Sequence, residues 1–327
     1  MQNFFQTKLL EKLWYEKNAA RFILWPFSLI YQAIFFIRRK YLQIFYRKSF
    51  DIPVIVVGNI SVGGVGKTPV VIALSNELIK HGYKVGIVSR GYGCKVRDFP
   101  YEVKPTDAAS LVGDEPLLLT KRTNSPVIID PNRPRAVEFL LNNHVVDVII
   151  SDDGLQHYAL SRKLEIAVVD GGRMFGNGCC LPAGPLRERP SRLKKVDFVV
   201  VNGDSEVKLP DSYNLELRPG NLIKILDNSQ ISIERLESPV SAVAGIGNPK
   251  RFFALLYGLG LKCKEYYFRD HHIFRLTDFS EIETNIIMTE KDAVKCTDFA
   301  TEKMYFLQVD AVLNEDFWRD FWRLFKC

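Results

Sequence analysis

The stretch VIVVGNISVGGVGKTP, from Val54 to Pro69, constrains the chain more than any other: it reads as a buried strand, a glycine-rich turn and the start of a helix. In such a loop the glycines let backbone N–H groups turn inward around phosphate oxygens, and the helix N-terminus adds its partial positive charge. Lys67 is then placed to reach the β- and γ-phosphates of a nucleotide, and the Thr68 hydroxyl to ligate magnesium. The cradle comprises Ser61, Val62, Gly63, Gly64, Val65, Gly66, Lys67 and Thr68. It departs at one point from G-x-x-x-x-G-K-[ST], which has glycine where Ser61 stands, but Gly63, Gly64 and Gly66 preserve backbone freedom near Lys67. The strand before and the helix after disfavour a plain glycine turn.

A phosphate loop needs a carboxylate across from it to hold the metal, normally at the tip of a neighbouring buried strand. VVDVIISDDGLQH, Val145 to His157, supplies Asp152 and Asp153 directly after an apolar run. Either can face the metal, and D-D-G is also ordinary turn chemistry. Gln156 and His157 follow Asp153 within about one helical turn and are expected in the same cleft.

Beyond Pro53, short β-branched runs alternate with helical stretches, as a parallel sheet covered by helices requires. Strands are expected at Val54–Val57, Val85–Val88, Val127–Ile129, Val145–Ile150, Glu165–Val169 and Phe198–Val201, with helices at Pro69–His81 and Arg135–Asn142. Gly203–Pro239 is less periodic, with short alternating pieces at Leu222–Leu226 and Gln230–Ile233, and reads as a connection. A second set follows, with strands at Val240–Ile246, Glu265–Phe268, Ile286–Thr289 and Met304–Val309 and helices at Pro249–Gly258 and Phe317–Phe325. The expected fold is α/β: a P-loop NTPase-like, doubly wound, mostly parallel sheet, a smaller C-terminal α/β domain, and an N-terminal membrane-associated helix. The corresponding segments are 1–50, 51–235 and 236–327.

The N-terminal helix is expected from FILWPFSLIYQAIFFI, Phe22 to Ile37, which carries no charge and is interrupted early by Pro26. At ~1.5 Å per residue it reaches about 24 Å, short of the ~30 Å hydrocarbon core. Lys8, Lys12, Lys17, Arg21, Arg38, Arg39, Lys40, Arg47 and Lys48 flank it, which suits a helix lying in or dipping into one leaflet; the alternative is a buried core helix. A net charge of +6 concentrated there leaves the rest near neutral, against a general nucleic-acid coat. The cysteines Cys94, Cys179, Cys180, Cys263, Cys296 and Cys327 form no CxxC pair, which fits a reducing compartment and no structural zinc.

The blocks GNISVGGVGKTP, SRGYG (Ser89–Gly93), VGDEP (Val112–Pro116), DDGLQH (Asp152–His157), LPAGPLRE (Leu181–Glu188), RDHH (Arg269–His272) and TEKDAVK (Thr289–Lys295) run in order over most of the chain. This pattern is similar to that of the tetraacyldisaccharide 4'-kinases of lipid A biosynthesis, which carry a small hydroxyl residue at the Ser61 position. The resemblance implies an ATP- and Mg2+-dependent transfer to the 4'-hydroxyl of a tetraacylated disaccharide 1-phosphate, at the cytoplasmic face of the bacterial inner membrane. It further implies a base at Asp114 paired with His271, Glu188 near the metal and Arg187 near the phosphates. Without the resemblance, Asp114 reads as a helix cap before Glu115-Pro116, His272 competes with His271, and Arg187 with Glu188 reads as a surface ion pair.

An acceptor with its own phosphate suggests arginines at the cleft mouth, with Arg135 the substrate contact adopted among Arg133, Arg135, Arg189 and Arg192. Two other functions share the phosphate loop: a membrane-bound ATPase or switch acting on a protein partner, and a scaffold with a relic site. A guanine-specific switch would want [NT]-K-x-D, whereas Thr289-Glu-Lys-Asp292 has the wrong order and reads as a helix start capped by Thr289.

Overall fold

The computed structural model describes residues 13–16, 20–205 and 207–326; Lys8, Lys12, Lys17 and Cys327 lie outside them. The first half holds β1 (Val54–Gly58), α2 (Lys67–Lys80), β2 (Val85–Ser89), β3 (Tyr101–Glu102), α3 (Ala109–Val112), α4 (Asp114–Arg122) and β4 (Val127–Ile129). It continues with α5 (Arg133–Asn143), β5 (Val148–Ser151), β6 (Leu164–Asp170) and β7 (Phe198–Asn202), and is preceded by the long α1 (Ala20–Phe45). Then follow β8 (Ser212–Lys224), β9 (Gln230–Ile231), β10 (Val240–Ala244), α6 (Pro249–Gly258), β11 (Cys263–Tyr267), β12 (Ile286–Thr289), α7 (Glu290–Ala293), β13 (Met304–Leu313) and α8 (Glu315–Lys326).

All strands belong to one 13-stranded sheet in the order β11-β10-β12-β13-β8-β7-β6-β1-β5-β2-β4-β3, with β9 beside β8. Successive side chains of a strand point to opposite faces, and β1 shows why the sheet is covered on both. Ile55 and Val57 join the cluster beneath α2, with Val70, Val71, Leu74 and Leu78, whereas Val54 and Val56 join Ala136, Val137 and Leu140 of α5. Its neighbours β5 and β6 are both parallel to it, so the crevice beyond the carboxyl end of β1 is where ligands bind in doubly wound sheets.

The expected α/β class and mostly parallel sheet are thus present, with two differences. Gly203–Pro239 is not merely a connection, because it carries the 13-residue β8. Ser212–Leu215 pair in parallel with β7, and Leu215 to Lys224 pair antiparallel with β13, so β8 welds both sets of strands together. The strand expected from Val145 begins only at Val148, because the N–H groups of Asp147 and Val148 turn aside to the Lys84 carbonyl. The C-terminal α8 folds back on the first half: Phe317, Phe321 and Phe325 recur every fourth residue and pack with Phe198 in the cluster that contains Ile55.

Helix α1 is longer than its uncharged stretch, running 26 residues through Arg38-Arg39-Lys40. One face is anchored to the body, where the Ser28 hydroxyl donates to the Cys180 carbonyl at 2.7 Å and Tyr31 donates to the Arg187 carbonyl at 3.2 Å. The other face exposes Phe22, Ile23, Phe27, Ile30, Ile34, Ile37 and Phe45. Among the described residues no helix is long and apolar enough to cross a membrane.

Candidate active site

The phosphate loop leaves β1 and enters α2 through two residues in the left-handed region, Gly63 at φ 107° and Gly66 at φ 94°. Gly66 is the N-cap of α2, so the first N–H groups of that helix open into the loop. Two asparagines shape the turn: Asn59 donates to the Ser61 carbonyl at 2.8 Å, and Asn202, at the end of β7, donates to the Val65 carbonyl at 2.9 Å. Ser61 bridges Leu186 antiparallel and Val62 N–H donates to the Pro185 carbonyl, so the LPAGPLRE segment lies along the loop. Ser61 is absent from the positive-φ residues, which accounts for a non-glycine there.

Substituting Gly66→Ala tests this geometry. The new Cβ would lie 2.3 Å from Asn202 Nδ2 in a left-handed backbone. We expect a stability cost of about 1–2 kcal/mol and a larger proportional loss of nucleotide binding, read by thermal denaturation with and without nucleotide. A variant with unchanged nucleotide affinity would contradict the cradle.

Lys67 Nζ stands 3.3 Å from Asn59 Oδ1 and 3.2 Å from Asp153 Oδ1. Asp153, itself left-handed at φ 47°, also accepts from Arg187 at 3.1 Å. Burial alone would raise its carboxyl, but the charges of Lys67 and Arg187 outweigh this and hold it well below the usual carboxylate range. Asp152 has the opposite setting. Burial, with the Glu115 and Asp153 charges nearby, pushes it up to about 6. One of its oxygens accepts from Ser89 Oγ at 3.1 Å, while the buried Oδ1 has no hydrogen-bond partner.

On the far wall, His271 Nδ1 lies 3.0 Å from Asp114 Oδ2 and 3.2 Å from Oδ1. Asp114 opens α4, and it does not cap that helix with its side chain; Gly113 occupies the N-cap. Burial would raise the Asp114 carboxyl, yet the His271 hydrogen bond and the Lys291, His271 and Lys295 charges hold it at about 2. The same bond raises His271 above its ordinary value. His272 turns away to Asp278, 3.0 Å from its Nε2, which removes it from competition. Lys291, at the start of α7, donates to Glu115 at 2.8 Å and ties the Asp114 segment to β12. The Thr289 cap expected there is present, accepting from Asp292 N–H.

One cleft of about 1390 Å³ is lined by Val62–Pro69, Glu115, Asp153, Arg187, His271 and Lys291. The structure therefore brings together the cradle, Lys67, Thr68, Asp153, Arg187 and His271, with Asp114 directly behind His271. Gln156 joins this group, accepting from Arg187 at 3.2 Å and donating to the Asn59 carbonyl at 3.0 Å. His157 is held neutral, burial and the Arg133 charge pushing it down to about 3.

Glu188 sits behind the cleft wall, not on it: it accepts from Gln156 at 2.9 Å and from Tyr158 at 2.5 Å, with Arg192 at 3.7 Å and Arg39 at 3.6 Å. Arg135 also lies off the cleft lining, its guanidinium held by Asp130 at 2.6 Å. Arg133 is buried, donating to the Asp130 and Asp152 carbonyls, Arg189 meets Gln32, and Arg192 meets Glu165. Sequence reasoning did not single out Asn59, Asn202, Glu115 or Lys291. Asn59 and Glu115 stand inside quoted motifs beside chosen residues, whereas Asn202 carried no local signal at all.

Such a cleft can hold the terminal phosphates of a nucleotide and pass one to a hydroxyl delivered into it, which defines a P-loop kinase. Comparison with known proteins narrows the class. The family model described as tetraacyldisaccharide-1-P 4'-kinase matches residues 20–326, and the chain belongs to this family. It is 51% identical over 314 residues to the tetraacyldisaccharide 4'-kinase of Legionella pneumophila (strain Corby), covering 96% of each chain. With the enzyme of that name from Haemophilus influenzae (strain 86-028NP) it shares 46% over 307 residues, 92% of each. The crystal structure of the "apo" form of LpxK from Aquifex aeolicus in complex with ATP superposes with a TM-score of 0.78 at 28% identity, covering 93% of this chain and 99% of that one.

Proposed function

We propose that this chain transfers the γ-phosphoryl group of ATP to the 4'-hydroxyl of a tetraacylated disaccharide 1-phosphate, giving the bis-phosphorylated lipid A precursor lipid IVA. The observation that carries this reading is the Asp114–His271 pair standing at the same cleft as the phosphate loop. A sugar hydroxyl is a poor nucleophile until its proton is taken, and a carboxylate oriented by an imidazole supplies an acceptor. Lys67 and Arg187 are positioned to stabilise charge on the transferring group, and the loop N–H groups to hold it in line.

The residues fit a divalent ion: Thr68 lines the cleft, Asp153 is ionised there, and the unpartnered Asp152 Oδ1 is a buried acceptor. Thr68 with Asp152 or Asp153 would hold magnesium, which when bound supplies neutralisation of the β- and γ-oxygen charge. Glu188 would act on that site through Gln156. Of the substrate contacts, Arg187 lines this cleft and Gln156 meets it through that arginine, while His157 lies off the lining and Arg135 would need to leave Asp130 to reach an acceptor. In this reading a phosphate-holding unit, 51–235, faces a unit, 236–327, that brings His271 and Lys291. The exposed apolar face of α1, flanked by Arg38 and Lys40, suits insertion at the cytoplasmic face of the inner membrane, where a lipid acceptor is reached without leaving the bilayer.

Purified full-length chain with labelled ATP and disaccharide lipids, with and without the 1-phosphate, tests the proposal. Label transfer that depends on the lipid is the expected result. ATP turnover indifferent to the lipid would favour a switch acting on a protein partner and overturn the kinase reading.

A further inference from the structure

A second cavity, of about 240 Å³, lies at the foot of α1 and shares no lining residue with the catalytic cleft. Its wall carries Arg39, Arg47, Arg162, Lys163, Arg192 and Lys195 against only Glu165 and Asp197, six cations to two carboxylates. Both acids are already engaged. Glu165 Oε1 accepts from Arg162 at 2.9 Å and from Arg192 at 2.5 Å, and Asp197 accepts the Glu165 backbone N–H at 2.7 Å. Among the described residues Lys163 donates only to the Phe325 carbonyl, Arg47 reaches the Ser161 hydroxyl at 3.3 Å, and Lys195 has no hydrogen-bond or ion-pair partner. Three positive groups thus face one pocket without a paired carboxylate among the described residues.

The pocket is also held open by its frame. Tyr158 lines it, with the guanidinium of Arg39 4.4 Å from the ring centre and that of Arg162 5.3 Å away, so the ring holds both planar cations over it. The segment after α1 is pinned by Lys48 N–H to the Ala159 carbonyl at 2.8 Å and by Ser161 N–H to the Lys48 carbonyl at 2.9 Å. A low-dielectric wall lined by one sign of charge focuses potential, and guanidinium groups match the oxygens of a phosphate. The room corresponds to about eight water volumes, ample for one tetrahedral oxyanion.

We propose that this pocket is an anion site for a phosphate group, separate from the catalytic cleft. Its place under the last turns of α1, whose opposite face is exposed and apolar, makes the headgroup of an anionic phospholipid its occupant at a membrane; free phosphate is the other source of the same chemistry. A headgroup held there would fix α1 against the bilayer at one defined point, in addition to its apolar contact.

The test uses the full chain and the charge reversals Arg47→Glu with Lys195→Glu, both exposed and outside the catalytic machinery. Arg38→Glu with Lys40→Glu, exposed on α1 but outside the pocket, is the charge-matched control. Co-sedimentation is measured with phosphatidylcholine vesicles and with vesicles in which phosphatidylglycerol replaces part of it. The expected result is an at least tenfold loss, roughly, of binding to the anionic vesicles for the pocket pair and a clearly smaller loss for the control. Binding of all three proteins to neutral vesicles reports the apolar face alone, so its failure would count against the membrane placement of α1 and not against the pocket.

The free-phosphate arm is run in the Lys67→Ala background, where the phosphate loop is disabled. A phosphate-dependent rise in Tm that disappears with the pocket pair would support the site with a soluble occupant. Equal vesicle losses for the two pairs, or no vesicle loss at all, would overturn it when no phosphate-dependent rise accompanies them.

Discussion

Lys67→Ala is expected to lower kcat/KM for phosphoryl transfer by roughly three orders of magnitude, the scale seen when a single donor to a developing anion is removed. The Lys67 ammonium is the group of the phosphate loop whose charge meets both the loop and the opposing carboxylate, through Asn59 and Asp153. Its loss removes stabilisation that grows as charge shifts during transfer, so kcat suffers as well as nucleotide affinity. Folding should survive, because Arg187 remains to pair with Asp153 at 3.1 Å and the loop's shape is set by Asn59 and Asn202. A folded Lys67→Ala protein with activity within tenfold of the parent would show that the loop does something other than hold the transferring phosphate.

Why the loop was legible and other features were not follows from how far apart the interacting residues are. The cradle is local: strand, turn and helix cap lie within one short stretch, and each element writes its own pattern. Strand β8 was hidden because Pro219-Gly220 reads as a turn. In the sheet a register shift between Leu307 and Val309 of β13 absorbs the irregularity, and pairing resumes on both sides. The end of α1 is not legible for a similar reason. Arg38-Arg39-Lys40 looks like the water-facing limit of an apolar helix, but Arg39 turns inward over Tyr158 and toward Glu188, so the helix continues.

The two walls of the cleft meet only through the fold. Lys291 and Glu115 are 176 residues apart, and no periodicity brings them together. Asp114 and His271 are 157 apart and were found through their family pattern; their spacing alone said nothing. Glu188 illustrates the converse. The family pattern implies a carboxylate near the metal, but only the packing of Tyr158, Arg192 and Gln156 around it reveals that Glu188 stands behind the wall.

Asp114→Asn should lower kcat by about 10²- to 10⁴-fold, the usual worth of a positioned proton acceptor, while leaving ATP affinity nearly unchanged. The substitution keeps the side-chain volume and the acceptor oxygen toward His271, so the buried wall is preserved and only the charge is lost. Should ATP binding fail instead, Asp114 belongs to the metal site. The pH dependence supplies a second, independent readout. Asp114 is held at about 2 and so stays ionised throughout the working range, which means its own titration sets no limb of the rate profile.

The pair gains its proton at His271, whose value the Asp114 hydrogen bond raises above the ordinary 6.5. With His271 protonated, the added positive charge makes the Asp114 carboxylate a weaker proton acceptor, so kcat/KM should rise with pH through that raised value and fall below it. Removing the Asp114 charge lets His271 titrate lower, and a nuclear magnetic resonance titration of the His271 ring should show this directly in Asp114→Asn. The stability linkage has matching signs: the Asp114 contribution is lost as pH falls through about 2, and the His271 contribution is lost as pH rises through its raised value. A His271 titration unmoved by Asp114→Asn would mean that the two groups are not coupled, and the proton acceptor would have to be sought elsewhere in the cleft.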